Sequence, residues 1–247
     1  MKAIEIYGPP LAPPVDYACW TLDRMGVSYT KAPGAAGISA IRSLRNNVPI
    51  EPPLILADGT AHGGFRNTLA FLHGSLNAKA PQPQPDPNPA LVEMIFKHLF
   101  GQAVRCFYRD MLRTPDTLVP MSTQGVPSWH RWAVTYAYPI WARVLTGGLR
   151  LDEVAPEKDM SDIELAFSRI SDELGDRRFL AGDSPGSDDV FFAAVASPII
   201  LPPDHPVEMP DMSALPASFR GKVEAFRDTK AGALALRTYA SRQVGTK

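Results

Sequence analysis

The chain has 247 residues, of which 45% are hydrophobic and 21% charged, and its 25 basic and 26 acidic side chains leave a net charge of −1. That length suits one large domain or two small ones, and the balanced charge argues against nucleic acid or an anionic membrane as a partner. The opening residues carry no apolar stretch of secretory-leader type, and no run is long and apolar enough to span a bilayer, so a cytoplasmic location is expected.

In chain order, residues 3–7 ("AIEIY") alternate apolar and polar as a strand does. Residues 13–25 open on Pro13 and Pro14, carry Val15, Cys19 and Leu22 at helical spacing, and stop at Gly26, which predicts a helix. Residues 27–31 read as a second strand and 34–50 as irregular chain. A strand over 54–57, a turn at Asp58-Gly59, a short strand near 60–62 and a helix from about 65 to 74 complete a βαβ-ββα pattern. The run "APQPQPDPNPA" over 80–90 places proline at every second position, so it predicts an extended, semi-rigid linker.

Beyond the linker the patterning is helical. Leu91, Ile95, Leu99, Ala103, Cys106 and Phe107 form one stripe. Trp129, Trp132, Tyr136, Ile140 and Trp141 suggest a second helix kinked at Pro139, their spacing favouring core positions for most of them. Ser161 to Glu164 has the form of a capping box, placing a helix start there. Residues 187–197 and about 217–242 add two more helices. The two cysteines form no CxxC pair and the five histidines no HExxH, so no metal site is expected.

Three stretches resemble the cytosolic glutathione transferase superfamily. These are the opening "AIEIYGPP…APPVDYACWTLDRMGVSYT", then "PPLILADGTAHGGFRNTLAFL", then "LGDRRFLAGDSPGSDDVFFAAV". The resemblance covers nearly the whole chain. It implies a thioredoxin-like α/β domain over 1–79, a proline-rich linker over 80–90 and an all-helical substrate domain over 91–247. It further implies glutathione as cosubstrate, a homodimer, and an electrophile that is small and apolar or aromatic.

Carried onto this sequence, the resemblance makes Pro53 the cis-proline of the glutathione edge, against the alternative of a trans proline in an edge turn. Its neighbours Pro52 and Leu54 share that edge, and Pro52 has a C=O but no N–H to offer. The acidic-serine pair of the family falls on Gly64-Phe65, neither of which can hold the γ-glutamyl end through its side chain. A helix N-terminus and Arg66 remain there, with a solvated surface arginine as the alternative for Arg66. The activating serine or cysteine falls at Leu11-Ala12, both inert, which leaves Tyr7 as the hydroxyl, either catalytic or structural. Leu11, Ala12, Tyr108 and Arg109 are the expected contacts of the substrate pocket, with Arg105 a lesser one, and pocket lining is the alternative to core for Phe107, Trp129, Trp132, Tyr136 and Trp141. Asp189 matches a buried folding aspartate, with Ser187 offered as the helix cap. The expected function is a glutathione transferase-like enzyme with a degenerate site, of transferase, lyase or isomerase type; the alternative is a non-catalytic ligand- or protein-binding member of the same fold.

Overall fold

The computed structural model describes residues 4–242. The chain divides into two compact units, residues 1–86 with 119–141, and residues 87–118 with 142–247. The proline run therefore marks the first crossing between units. The return of 119–141 to the first unit is not signalled in the sequence, where the second domain is expected to run unbroken from 91.

The first unit is built on a four-stranded sheet of order β2-β1-β3-β4, with β1 at Ile4–Gly8, β2 at Tyr29–Pro33, β3 at Leu54–Ala57 and β4 at Thr60–Gly63. β1 runs parallel to β2 and antiparallel to β3, and β3 and β4 form a hairpin through Asp58-Gly59. Register places Tyr7 opposite Ala32 on one side and Leu54 on the other, with Leu54 opposite Gly63. α1 (Pro13–Met25) crosses from β1 to β2 and buries Tyr17, Ala18, Cys19, Trp20, Leu22 and Met25. Two prolines start it, where missing N–H groups cost nothing, and Gly26 ends it in the left-handed conformation.

The 34–50 stretch is not wholly irregular. It contains a short helix, α2 (Ala40–Arg45), whose apolar residues Ile41 and Leu44 face outward. An amphipathic signal is missing because only Ser43 of this helix is buried. α3 (Phe65–Phe71) runs into a π-helical turn over Leu72–Leu76. Tyr17 clamps α1 to that turn, its hydroxyl lying 2.6 Å from His73 Nε2, and His73 Nδ1 faces Asp86 at 3.4 Å.

In the second unit α4 (Pro89–Ile95) leads through a π-helical turn, Phe96–Phe100, into α5 (Gly101–Met111). The chain passes back to the first unit within α6 (Pro115–Ser122), has α7 (Ser128–Tyr136) in that unit and leaves it again within α8 (Tyr138–Gly148), the break at Ala137 agreeing with the kink expected at Pro139. α9 (Pro156–Leu174) begins five residues before the expected capping box: Pro156 takes the first helical position and Ser161 lies inside the helix. α10 (Ser187–Ile200) is buried along almost its whole length and is the centre of this unit. Asp189, fully buried at its start, accepts N–H bonds from Leu180 (2.7 Å), Ala181 (3.3 Å) and Gly186 (2.8 Å). That carboxylate, not the Ser187 hydroxyl, satisfies the helix start. α11 (Ala217–Arg227) and α12 (Lys230–Ala240) split the single helix expected over 217–242.

Candidate functional site

The site expected from the sequence lies where β1 ends beside the start of β3. The Pro52–Pro53 peptide bond is cis. Gly8, the last residue of β1, sits so close to this corner that a Cβ on it would lie 3.4 Å from Pro52 Cβ and 2.5 Å from Val15 Cγ2. Only glycine fits that approach, so Tyr7 and Gly8 are held directly beside the proline pair. The Pro53 carbonyl accepts from Gly64 N–H at 3.1 Å, which fastens the β3 edge to the entry of α3. Pro52 brings a carbonyl to this edge and no donor.

Tyr7 is nearly covered, with 6% of its surface exposed. One face of its ring is capped by the Arg42 guanidinium, 3.8 Å from the ring centroid. This cation–π contact joins α2 to β1. Nothing local in the sequence signals it, since the two residues are 35 apart and Arg42 lies in a stretch expected to be irregular.

Leu11 and Ala12, where the resemblance would place an activating hydroxyl or thiol, form the half-buried turn from β1 into α1. Ala12 is the N-cap residue and provides no side-chain cap. The start of α1 has little to offer an anion. Pro13 and Pro14 lack N–H groups, and the next two donors, on Val15 and Asp16, both go to the Ala12 carbonyl at 2.9 and 3.1 Å. Buried Asp16 adds negative charge to the same turn. A helix N-terminus normally favours a thiolate through free N–H groups and its dipole; here the donors are absent or spent.

At α3 the expected free N-terminus is also in use. Phe65 N–H donates to Glu51 Oε1 at 3.3 Å, so a carboxylate from the residue before the proline pair occupies that donor. The Phe65 ring is fully buried against Tyr17, with centroids 5.7 Å apart, so it belongs to the core and does not stack on a ligand. Arg66 is exposed. Neither Glu51 nor its role was visible in the sequence, because the cap arrives from outside the helix.

The loop before α2 carries two further contacts that local patterns do not reveal. Ala35 N–H donates to His130 Nδ1 at 3.1 Å, and Trp141 Nε1–H donates to the Ala36 carbonyl at 2.9 Å. His130 accepts at Nδ1, so the neutral ring carries its proton on Nε2. Burial lowers its basicity, which keeps it in that neutral form.

In the second unit, Tyr108 is buried edge-to-face against Phe107, centroids 5.1 Å apart, and burial pushes its phenol up to about 12. Arg109 is committed elsewhere than to a substrate. Its guanidinium binds Asp159 at 2.5 Å, the Val154 carbonyl at 2.6 Å and the Leu151 carbonyl at 3.3 Å. Arg105 chelates the same carboxylate, so a buried Asp159 is held between two arginines. This cluster joins α5 to α9 and accounts for both arginines as folding residues. Cys106 is buried with its thiol pushed up to about 11, and Cys19 is buried in α1, so neither is a reactive thiol.

Trp129, Trp132, Tyr136 and Ile140 correct the core assignment made from their spacing. Each is more than half exposed, whereas Trp141 and Val134 are buried. The helical period is real, but it marks an outward face.

No protein-family model matches the sequence, and no curated protein matches it. Solved structures do match along the full length. A glutathione transferase from Phanerochaete chrysosporium aligns with a TM-score of 0.58 at 13% identity, covering 100% of each chain. A glutathione S-transferase from Ceriporiopsis subvermispora, solved in complex with glutathione, gives 0.52 at 12% identity over 97% of each chain. Glutathione S-transferase III in its apo form gives 0.52 at 15% identity over 99% of each chain. In this chain the small mixed sheet comes first and the helical array follows. The chain has the fold of the glutathione transferases.

Proposed function

We propose that this chain is a glutathione transferase-type protein with a reduced glutathione site, acting on a small apolar or aromatic electrophile. The observation that carries the reading is the corner where cis Pro52–Pro53 meets Tyr7 and Gly8 in this fold. An extended thiol peptide pairing with that edge finds the Pro52 carbonyl as acceptor and loses the usual N–H donor. One missing hydrogen bond weakens binding by about 1 kcal/mol, or roughly a factor of five. Tyr7 ends β1 beside that corner, opposite Leu54 in the sheet, and is the hydroxyl that the resemblance leaves there. The Arg42 guanidinium on its ring supplies positive potential that the start of α1 does not. Together these replace, weakly, the donor that would hold a thiolate. The resemblance that supports this reading carries with it a cytoplasmic homodimer.

A second reading is favoured by one specific finding, that the donors at the start of α1 are absent or already used. On that reading the protein binds a ligand or partner without activating a thiol. Steady-state turnover of a generic aromatic electrophile with glutathione separates the two. The first reading expects measurable turnover that falls about tenfold or more in Tyr7→Phe, with unchanged unfolding. Absence of turnover in the parent protein at saturating glutathione removes it in favour of the second.

A further inference from the structure

The outward face of α7 and α8 belongs to no part of the site above. Trp129, Trp132 and Tyr136 follow one another at intervals of three and four residues, which sets them along one side of α7, and Ile140 lies just beyond the break at Ala137, on α8. Their exposures are 59%, 63%, 74% and 69%. Trp132 and Tyr136 pack ring to ring at 5.1 Å, forming a small aromatic ridge. The inward side of the same helices is fixed, with His130, Val134 and Trp141 buried. α7–α8 thus has two apolar faces, and only one of them is used by the fold.

A second exposed apolar set lies on and after α2: Ile41, Leu44 and Ile50, each at least half exposed. The loop entering α2 is pinned to α7 by Ala35 and His130 and to α8 by Trp141 and Ala36, so both sets belong to one compact unit. Large exposed apolar groups in such number mark an interaction surface.

The distribution of charge identifies the partner, and it departs from the net balance that argues against an anionic membrane. Residues 117–151 contain no Asp or Glu, and neither do residues 24–50, although the whole chain is nearly neutral. Arg42, Arg45 and Arg131 are exposed beside the apolar residues. A second copy of this chain, docked face to face about a two-fold axis, would set a cationic patch against itself. Exposed Trp and Tyr with neighbouring Arg match the aromatic and cationic anchors of a bilayer interface. We propose that the exposed face of α7–α8, with α2, docks on an anionic lipid surface, the aromatic ridge entering the headgroup layer and Arg45 and Arg131 pairing with lipid phosphates. No helix among the described residues is long and apolar enough to cross a membrane, so the contact is peripheral.

The test is co-sedimentation of the whole chain with vesicles of phosphatidylcholine alone or with added phosphatidylglycerol, at low and high salt. Tryptophan emission and sedimentation velocity are recorded alongside. The expected result is binding to the anionic vesicles, a blue shift in emission, and loss of binding as salt rises. Trp132→Ser/Tyr136→Ser should weaken partitioning about tenfold or more. Arg45→Glu/Arg131→Glu should do so in the anionic vesicles, with thermal unfolding unchanged in both variants. The proposal is overturned if anionic vesicles do not bind at low salt. It is also overturned if the aromatic pair's replacement dissociates a dimer without affecting vesicles, or if the parent chain binds poly-glutamate but not vesicles. None of these readouts depends on glutathione.

Discussion

Replacing Asp159 by alanine should destabilise the protein by about 3 kcal/mol, near the lower end of the range for breaking a buried ion pair. The carboxylate is buried, and the Arg105 and Arg109 side chains that share it are only 20% and 15% exposed. Removing it leaves two cations in a partly dry site, with Arg109 still held by Leu151 and Val154 carbonyls and unable to move freely into water. Slight access to solvent is the reason to expect the lower end. For a chain of this length 3 kcal/mol corresponds to a fall of about 6–12 °C in the unfolding midpoint. Thermal and urea unfolding followed by circular dichroism measure it. Asp159→Asn, which keeps one acceptor, should lose less. A loss below about 1 kcal/mol in Asp159→Ala would refute the idea that this cluster holds α5 to α9. If Arg109→Met instead changed the Michaelis constant for an electrophile with no change in unfolding, Arg109 would be the substrate contact expected from the sequence.

Stability should also fall on mild acidification. His73 and His130 are both shifted downward by burial, with Asp86 partly opposing this at His73. A histidine whose folded pKa lies below its unfolded value of about 6.5 binds protons more readily when unfolded. Its contribution is therefore intact above about pH 6.5 and is lost as pH falls from there through the folded pKa. Unfolding midpoints measured between about pH 7 and 5 should drop, and His130→Gln, which can still accept from Ala35 N–H, should flatten part of that slope; a pH-independent midpoint contradicts both assignments. Glu51→Ala should tighten glutathione about two- to fivefold with little effect on unfolding, because the exposed carboxylate competes for Phe65 N–H and alanine has no acceptor. Weaker binding in that variant would mean that Glu51 contacts the ligand.

Much of the fold is written in short-range signals. Pro13-Pro14 and Gly26 bracket α1, and Pro53, Leu54–Ala57 and Asp58-Gly59 announce the cis corner, strand and turn. The start of α9 was misplaced because Pro156 opens the helix without a side-chain cap, while Ser161 to Glu164 imitates a cap within it. The ridge Trp129-Trp132-Tyr136 turns outward against expectation because periodicity reports that a face exists, not which way it turns. What the sequence could not disclose at the site is long-range. Arg42 on Tyr7, Glu51 on Phe65 and His130 on Ala35 each join residues separated by a fold that must form first. The losses, by contrast, were legible one residue at a time: no N–H on Pro52, Pro13 or Pro14, and no hydroxyl at Leu11 or Ala12.

The central claim is that this fold keeps a glutathione edge that has lost a donor at Pro52. Calorimetric titration with glutathione, on the parent chain and on Pro52→Ala, tests it most directly. The expected result is one-to-one binding in the millimolar range for the parent, and about five- to tenfold tighter binding in Pro52→Ala, where an N–H is restored to the edge. Absence of binding in both proteins, or equal affinity in both, would contradict it.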